Sequence, residues 1–184
     1  MYVGHLAVGL AAVKARPRVP LWLLLIAAQA PDWIELAFGG SRSYDPGELR
    51  SHSLPVVAAL ATGFALMYLV FTGDWRGGGL LIVVTLSHSV LDLVTGSKVL
   101  WPGTRPVGAC LYNQPGFDFL IEAAIAVAGW GVYRTALGRH RSSRVAWAAL
   151  LALLASQSLL DVAQEARLRR APYLRADCVD AARS

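Results

Sequence analysis

The chain is short of charge and short of cysteine. Only 16% of its 184 residues are Asp, Glu, Lys or Arg, whereas 55% are hydrophobic, and mean hydropathy is +0.48. Ser53–Gly73 carries no charged residue over 21 positions, enough to cross a hydrocarbon core of about 30 Å. A soluble domain rarely sustains such a run without a polar face, so the missing charge predicts a membrane protein. The two cysteines, Cys110 and Cys178, form no CxxC pair and say little about redox compartment. No basic residue precedes the first apolar stretch; Lys14, Arg16 and Arg18 follow it instead. That order does not read as a signal peptide. Linkers, internal repeats and low-complexity tracts are also missing, and the length suits one domain. A net charge of +5 raises nucleic acid as a partner. The arginines cluster at the ends of apolar segments, however, which is the pattern of membrane anchoring, and no nucleic-acid partner is expected.

What is present predicts an all-α, multi-pass transmembrane bundle of about six segments. Tyr2–Val13 is short, and a basic turn with Pro17 and Pro20 closes it. Leu21–Ala30 is a second short helix, interrupted at Pro31-Asp32 before a brief helix through Phe38. Gly39–Ser51 reads as a polar loop, Ser53–Gly73 as a span and Asp74–Gly78 as a tight turn. Gly79–Thr95 follows, then a loop of about twenty residues rich in Gly and Pro. Asp118–Leu137 and Arg144–Glu165 complete the set. Residues 1–165 form the transmembrane domain, and 166–184 a basic tail. Ten to twelve residues of helix reach only about 15–18 Å. The first two segments therefore either extend into the headgroup region or form a sheltered re-entrant hairpin.

Against this background, the ionisable residues stand out. His88 and Asp92 are four apart within an apolar run, and His5, Asp32 and His52 each edge another. A bilayer penalises such groups by a few kcal/mol each, so those present usually face a partner, a metal or water. Each has a plainer reading. Asp92 could simply orient a buried His88, Asp32 could cap a helix, and His52 could lie at an interface. Up-and-down topology nevertheless brings all five to one mouth of the bundle. Three imidazoles and two carboxylates suit zinc, with manganese or iron as alternatives. Five ligands exceed the usual three of a mononuclear catalytic zinc, so either two are outer residues or two ions bind. Candidate catalytic acids are Glu122, Glu35 and Asp118. Glu122, one turn into an apolar run, is the favoured base, with a structural partnership to an arginine or a backbone group as its alternative.

The pieces Gly4-His5-Leu6, Ala30-Pro31-Asp32, Ser51-His52-Ser53-Leu54 and His88-Ser89-x-x-Asp92 together resemble the inner-membrane metal-dependent hydrolases, the LexA-regulated membrane-bound family. The likeness covers roughly residues 1–122. It implies a multi-pass inner-membrane protein with hydrolase activity, and it implies a metal site at His5, Asp32, His52, His88 and Asp92. The pattern departs at Ile34, where many relatives carry a second acid.

These readings predict a membrane hydrolase that uses a metal-activated water, acting on a phosphoester or ester of a lipid-like or small-molecule substrate. The rivals are a metal-ion or proton transporter and a non-enzymatic membrane scaffold. A transporter wants polar groups near the midplane, whereas here they gather towards one mouth. For sidedness, Lys14, Arg16, Arg18, Arg76, Arg139, Arg141 and Arg144 share the end opposite the mouth, which puts the mouth outside the cytoplasm. Arg167, Arg169, Arg170, Arg175 and Arg183 lie on the mouth side and argue the reverse.

Overall fold

The computed structural model describes residues 3–37, 51–137 and 143–170. Among them are six α-helices: α1 (Val3–Ala15), α2 (Leu21–Ala37), α3 (Leu54–Thr72), α4 (Trp75–Thr95), α5 (Pro115–Leu137) and α6 (Ser143–Arg170). The predicted polar loop before Ser51 and the tail beyond Arg170 lie outside the described residues. Four helices, α3 to α6, are long and apolar enough to cross a membrane. Their outward faces expose Val70 and Phe71, Val83 and Val90, Leu120, and Leu159 and Val162. Such a surface suits lipid, where there is no water to avoid.

Short α1 lies at the centre and packs on α2, α4 and α5. Its buried face is made of small residues, Gly4, Ala7, Gly9 and Ala12 among them. A side chain at Gly129 of α5 would collide with the Ala7 carbonyl, so the two backbones approach as small residues allow in membrane bundles. The turn after α1 reaches the far end of the bundle. There Arg16 Nη2 meets Asp74 Oδ1 at 2.6 Å, in the α3–α4 turn. Tyr68 Oη donates to the Arg18 carbonyl at 3.5 Å in the same place. The tip is therefore level with the α3–α4 turn. Thirteen residues of α1 give about 20 Å, and the missing length falls at the other end, where α1 starts inside the bundle.

Two boundaries differ from expectation. The break at Pro31 does not occur, because α2 runs unbroken from Leu21 to Ala37 with Pro31 inside it. Proline offers no N–H to the carbonyl of Ala27 and crowds the preceding turn. In a bundle, neighbouring side chains re-satisfy the disturbed backbone, and His88 Nδ1 lies 2.9 Å from the adjoining Ala28 carbonyl. The predicted turn at Asp74–Gly78 is mostly helix, since α4 starts at Trp75. Gly77 and Gly78 are there for packing: side chains at these positions would strike the Tyr68 ring and press on the Ala65 carbonyl of α3. Glycine read as punctuation was close contact.

Candidate metal centre

Each side chain of the pocket is delivered by a different piece of backbone. His5 comes from the first turns of α1, Asp32 and Glu35 from the last turns of α2, and His52 from the turn leading into α3. His88 and Asp92, one turn apart on one face of α4, supply the rest. The first turn of α1 is buried, and its backbone N–H groups need acceptors. Glu122 of α5 provides one: its Oε2 accepts from Val3 N and Gly4 N, each at 3.1 Å. That cap fixes where His5 sits.

All five sequence-predicted ligands converge. Asp92 lies at the centre, with Oδ1 3.3 Å from His5 Nε2 and Oδ2 3.3 Å from both His52 Nε2 and His88 Nε2. Asp32 Oδ1 is 3.0 Å from His52 Nε2 and 3.6 Å from His88 Nε2. The rings of His5 and His88 stack at 3.7 Å between centroids. His5 and His88 are fully buried, Asp92 and His52 nearly so.

The tautomer of His88 follows from its outer contact. A carbonyl only accepts, so His88 Nδ1 carries the proton it donates to Ala28 O, and Nε2 is left with its lone pair facing the pocket. His52 instead meets a carboxylate on each side of its ring, and its Nε2 shares a hydrogen bond with Asp32 Oδ1 at 3.0 Å. Its Nδ1 lies 3.0 Å from Glu35 Oε2, while Nε2 faces Asp32 and Asp92. Glu35 is itself held by Lys98 Nζ at 3.2 Å. A carboxylate or carbonyl behind an imidazole, as at His52 and His88, is the usual support of a ligating histidine.

This donor set fits a divalent cation. Ligand atoms about 2.0–2.2 Å from a four-coordinate ion lie about 3.2–3.6 Å from one another, close to the separations found. Two triplets meet the spacing for one ion, His5–His88–Asp92 and Asp32–His52–His88. His5 Nε2, His88 Nε2 and Asp32 Oδ2 are buried without a hydrogen-bond partner, which is costly in an apolar interior unless something positive joins them. Charge agrees: among the described residues, the carboxylates of Asp32, Glu35 and Asp92 gather at the pocket, and the ammonium of Lys98 stands beside Glu35.

The remaining acids lie elsewhere. Glu35 is behind His52, and Glu122 is on the α1 backbone. Asp118 faces α6, where Gln157 Nε2 reaches its Oδ2 at 3.5 Å and Asp161 Oδ1 at 3.0 Å. Sequence reasoning did not connect Lys98 with Glu35, nor the Ala28 carbonyl with His88. No side-chain pattern marks a backbone acceptor one turn before a proline.

A bundle of membrane helices with a buried histidine–aspartate pocket able to hold a cation defines the class. The chain belongs to the YdjM inner membrane protein family, whose family model matches residues 1–166. It is thus a multi-pass protein of the inner membrane. No curated protein and no solved structure matches the chain.

Proposed function

We propose that this protein is a membrane-embedded hydrolase whose pocket holds one divalent cation, zinc by its donor set, and cleaves an ester or phosphoester of a lipid-like substrate. The observation that carries the reading is the convergence of imidazole Nε2 and carboxylate Oδ atoms from α1, α2, α4 and the turn before α3, 3.0–3.6 Å apart. One ion is favoured over two because both possible triplets use His88. With its Nδ1 proton committed to Ala28, that ring has a single lone pair to give.

A cation held there supplies Lewis acidity and lowers the pKa of water to near neutrality. The chain's own groups do the rest. His5, His88 and Asp92 form the buried floor. His52 and Asp32 form the side towards the mouth, where Asp32 is the more exposed. Asp32 Oδ2 is the pocket oxygen left to take a proton from an attacking water. Glu35 holds the His52 ring in place, and Lys98 stands beside it at the rim to meet an anionic group. Glu122 and Asp118 serve as structural acids that seat α1 and α6.

The lipid assignment rests on location. Trp33, beside Asp32, and Trp101, beside the Leu100 carbonyl that accepts from Leu54 N, are both exposed. Exposed tryptophans at that level suit the membrane–water boundary. A substrate there keeps its acyl chains in the bilayer while its headgroup enters the mouth. The test is metal analysis of the detergent-purified protein together with hydrolysis of an ester and phosphoester lipid panel. Near-stoichiometric metal and chelator-sensitive hydrolysis are expected. Ion flux in liposomes without hydrolysis would replace the enzyme by a transporter.

A further inference from the structure

We propose that the cleft between α5 and α6 binds one membrane phospholipid whose headgroup carries a primary ammonium beside its phosphate. The two helices do not close on each other along their whole length. Where α5 begins and α6 finishes, they leave a cavity of about 590 Å³, within the size range of small-molecule sites. That end is the mouth side. The loop into α5 is fastened there to the last turn of α4, where Ala109 N donates to the Leu93 carbonyl at 2.9 Å, one residue after Asp92.

The walls have two characters. Gly116 and Phe119 of α5 and Val162 of α6 are apolar, and both helices are long and apolar enough to cross a membrane. Val162 is exposed on the outer surface, where hydrocarbon chains are the neighbouring solvent. Asp161, Glu165 and Arg169 line the same cleft, and their spacing of four puts them one turn apart on one face of α6. Arg169 Nε donates to Glu165 Oε1 at 3.0 Å. The terminal NH₂ groups of that guanidinium are left for a phosphate, in the two-pronged contact usual for the pair. Asp161 Oδ1 accepts from Gln157 Nε2 at 3.0 Å, and a carboxylate oxygen has room for a second donor.

Charge complementarity selects the headgroup. Among the described residues that line the cleft, two carboxylates stand against one guanidinium. A headgroup with negative charge alone would satisfy Arg169 but be repelled by Asp161 and Glu165. A choline headgroup carries a quaternary ammonium, which has no N–H to give a carboxylate and is recognised by cages of aromatic rings. Phe119 is the lone aromatic residue among those lining the cleft, and one ring is no cage. A primary ammonium has three N–H donors. It meets Asp161 and Glu165 while the adjoining phosphate meets Arg169, and an acyl chain lies along Phe119 and Val162. None of the lining residues belongs to either ligand triplet of the metal pocket. The inference is therefore independent of the hydrolase reading and survives if the pocket proves non-catalytic.

The test is lipid titration of the whole chain, delipidated in detergent and followed by native mass spectrometry. The probes are phosphatidylethanolamine, phosphatidylcholine and phosphatidylglycerol with identical acyl chains. One bound phosphatidylethanolamine is expected at about a tenfold lower concentration than either of the others, the worth of one charge-assisted hydrogen bond. Glu165→Gln should bring its affinity down to that of phosphatidylcholine. Gly116→Leu should weaken all three lipids by filling the cleft. A Cβ at Gly116 meets nothing within 4 Å, so the thermal midpoint of this variant in detergent should match that of the unaltered protein. Equal affinity for the three lipids would overturn the headgroup assignment. A preference for phosphatidylethanolamine that persists in both variants would move the lipid to another surface and remove the site. A lipid-free dimer broken by Gly116→Leu would give the cleft to a second copy of the chain, which also refutes the proposal.

Discussion

Two clusters of buried acids lie in this bundle, and they differ in how their lone pairs are arranged. Around His88, imidazole and carboxylate atoms from four stretches of chain point at a common centre, with the rings of His52 and His88 each backed by its own acceptor. Around Asp118, the side chains of α5 and α6 point at one another: Gln157 bridges Asp118 and Asp161, and Glu122 turns to the backbone of α1. Both clusters are acidic, buried and within apolar helices. The spacing of the first could hold a cation, whereas the second joins helices to one another. Burial and acidity do not separate function from support; mixed donors with a common focus do.

The sharpest way to break that contrast is at His88. His88→Ala should abolish stoichiometric metal, with a loss exceeding the ~10–100-fold typical of an outer partner. Asp92→Asn should do the same while leaving the pocket filled. Metal content unchanged in both, measured on folded protein by elemental analysis, would place the ion elsewhere or remove it. Glu35→Gln is the finer probe, since it touches His52 without belonging to either triplet. Metal affinity should fall by about 10–100-fold yet be restored at high metal concentration.

The site was more legible in the sequence than its supports. His5, Asp32, His52, His88 and Asp92 were readable because ionisable side chains are rare in apolar runs, and alternation of helix direction sends them to one end. A backbone partner for Glu122 was among the sequence readings, but which backbone was not legible, because the partners are two amides some 118 residues away. Continuity of α2 through Pro31 was hidden for the same reason: the compensating contact comes from another helix. Gly77 and Gly78 looked like a turn because sequence alone does not show what lies opposite a glycine. What the chain conceals is tertiary.

At the second cluster, the largest effect is expected for Glu122→Ala. It leaves two buried N–H groups without an acceptor, which should cost about 1–3 kcal/mol of stability. Metal should be lost only in the fraction that unfolds, and Glu122→Gln should recover most of the stability through its amide oxygen. If Glu122→Gln instead eliminated hydrolysis with metal and stability intact, Glu122 would be a catalytic base and the contrast between the clusters would fail. Asp118→Asn should be milder still, because an amide can keep the contact with Gln157. Its metal content and turnover should match those of the unaltered protein, within about twofold.

The smallest effect is expected farthest from the mouth, at the tip where Arg16 meets Asp74. The Arg16 guanidinium beside Asp74 holds that carboxyl below the usual carboxylate range. A carboxylate whose folded value is depressed contributes stability at pH above its unfolded value. The contribution is lost as pH falls through the folded value. Arg16→Ala should therefore lower Tm slightly at neutral pH, and the gap from the unaltered protein should close as the solution becomes strongly acidic. Both partners are partly exposed, so added salt should narrow the gap as well. Metal content should not change at any pH where the protein remains folded, because the tip positions α1 from the end opposite His5. A metal loss in Arg16→Ala as large as that in Glu35→Gln would mean that the α1–α2 hairpin moves as one lever. The pocket would then be set from both ends of the bundle rather than by its immediate supports.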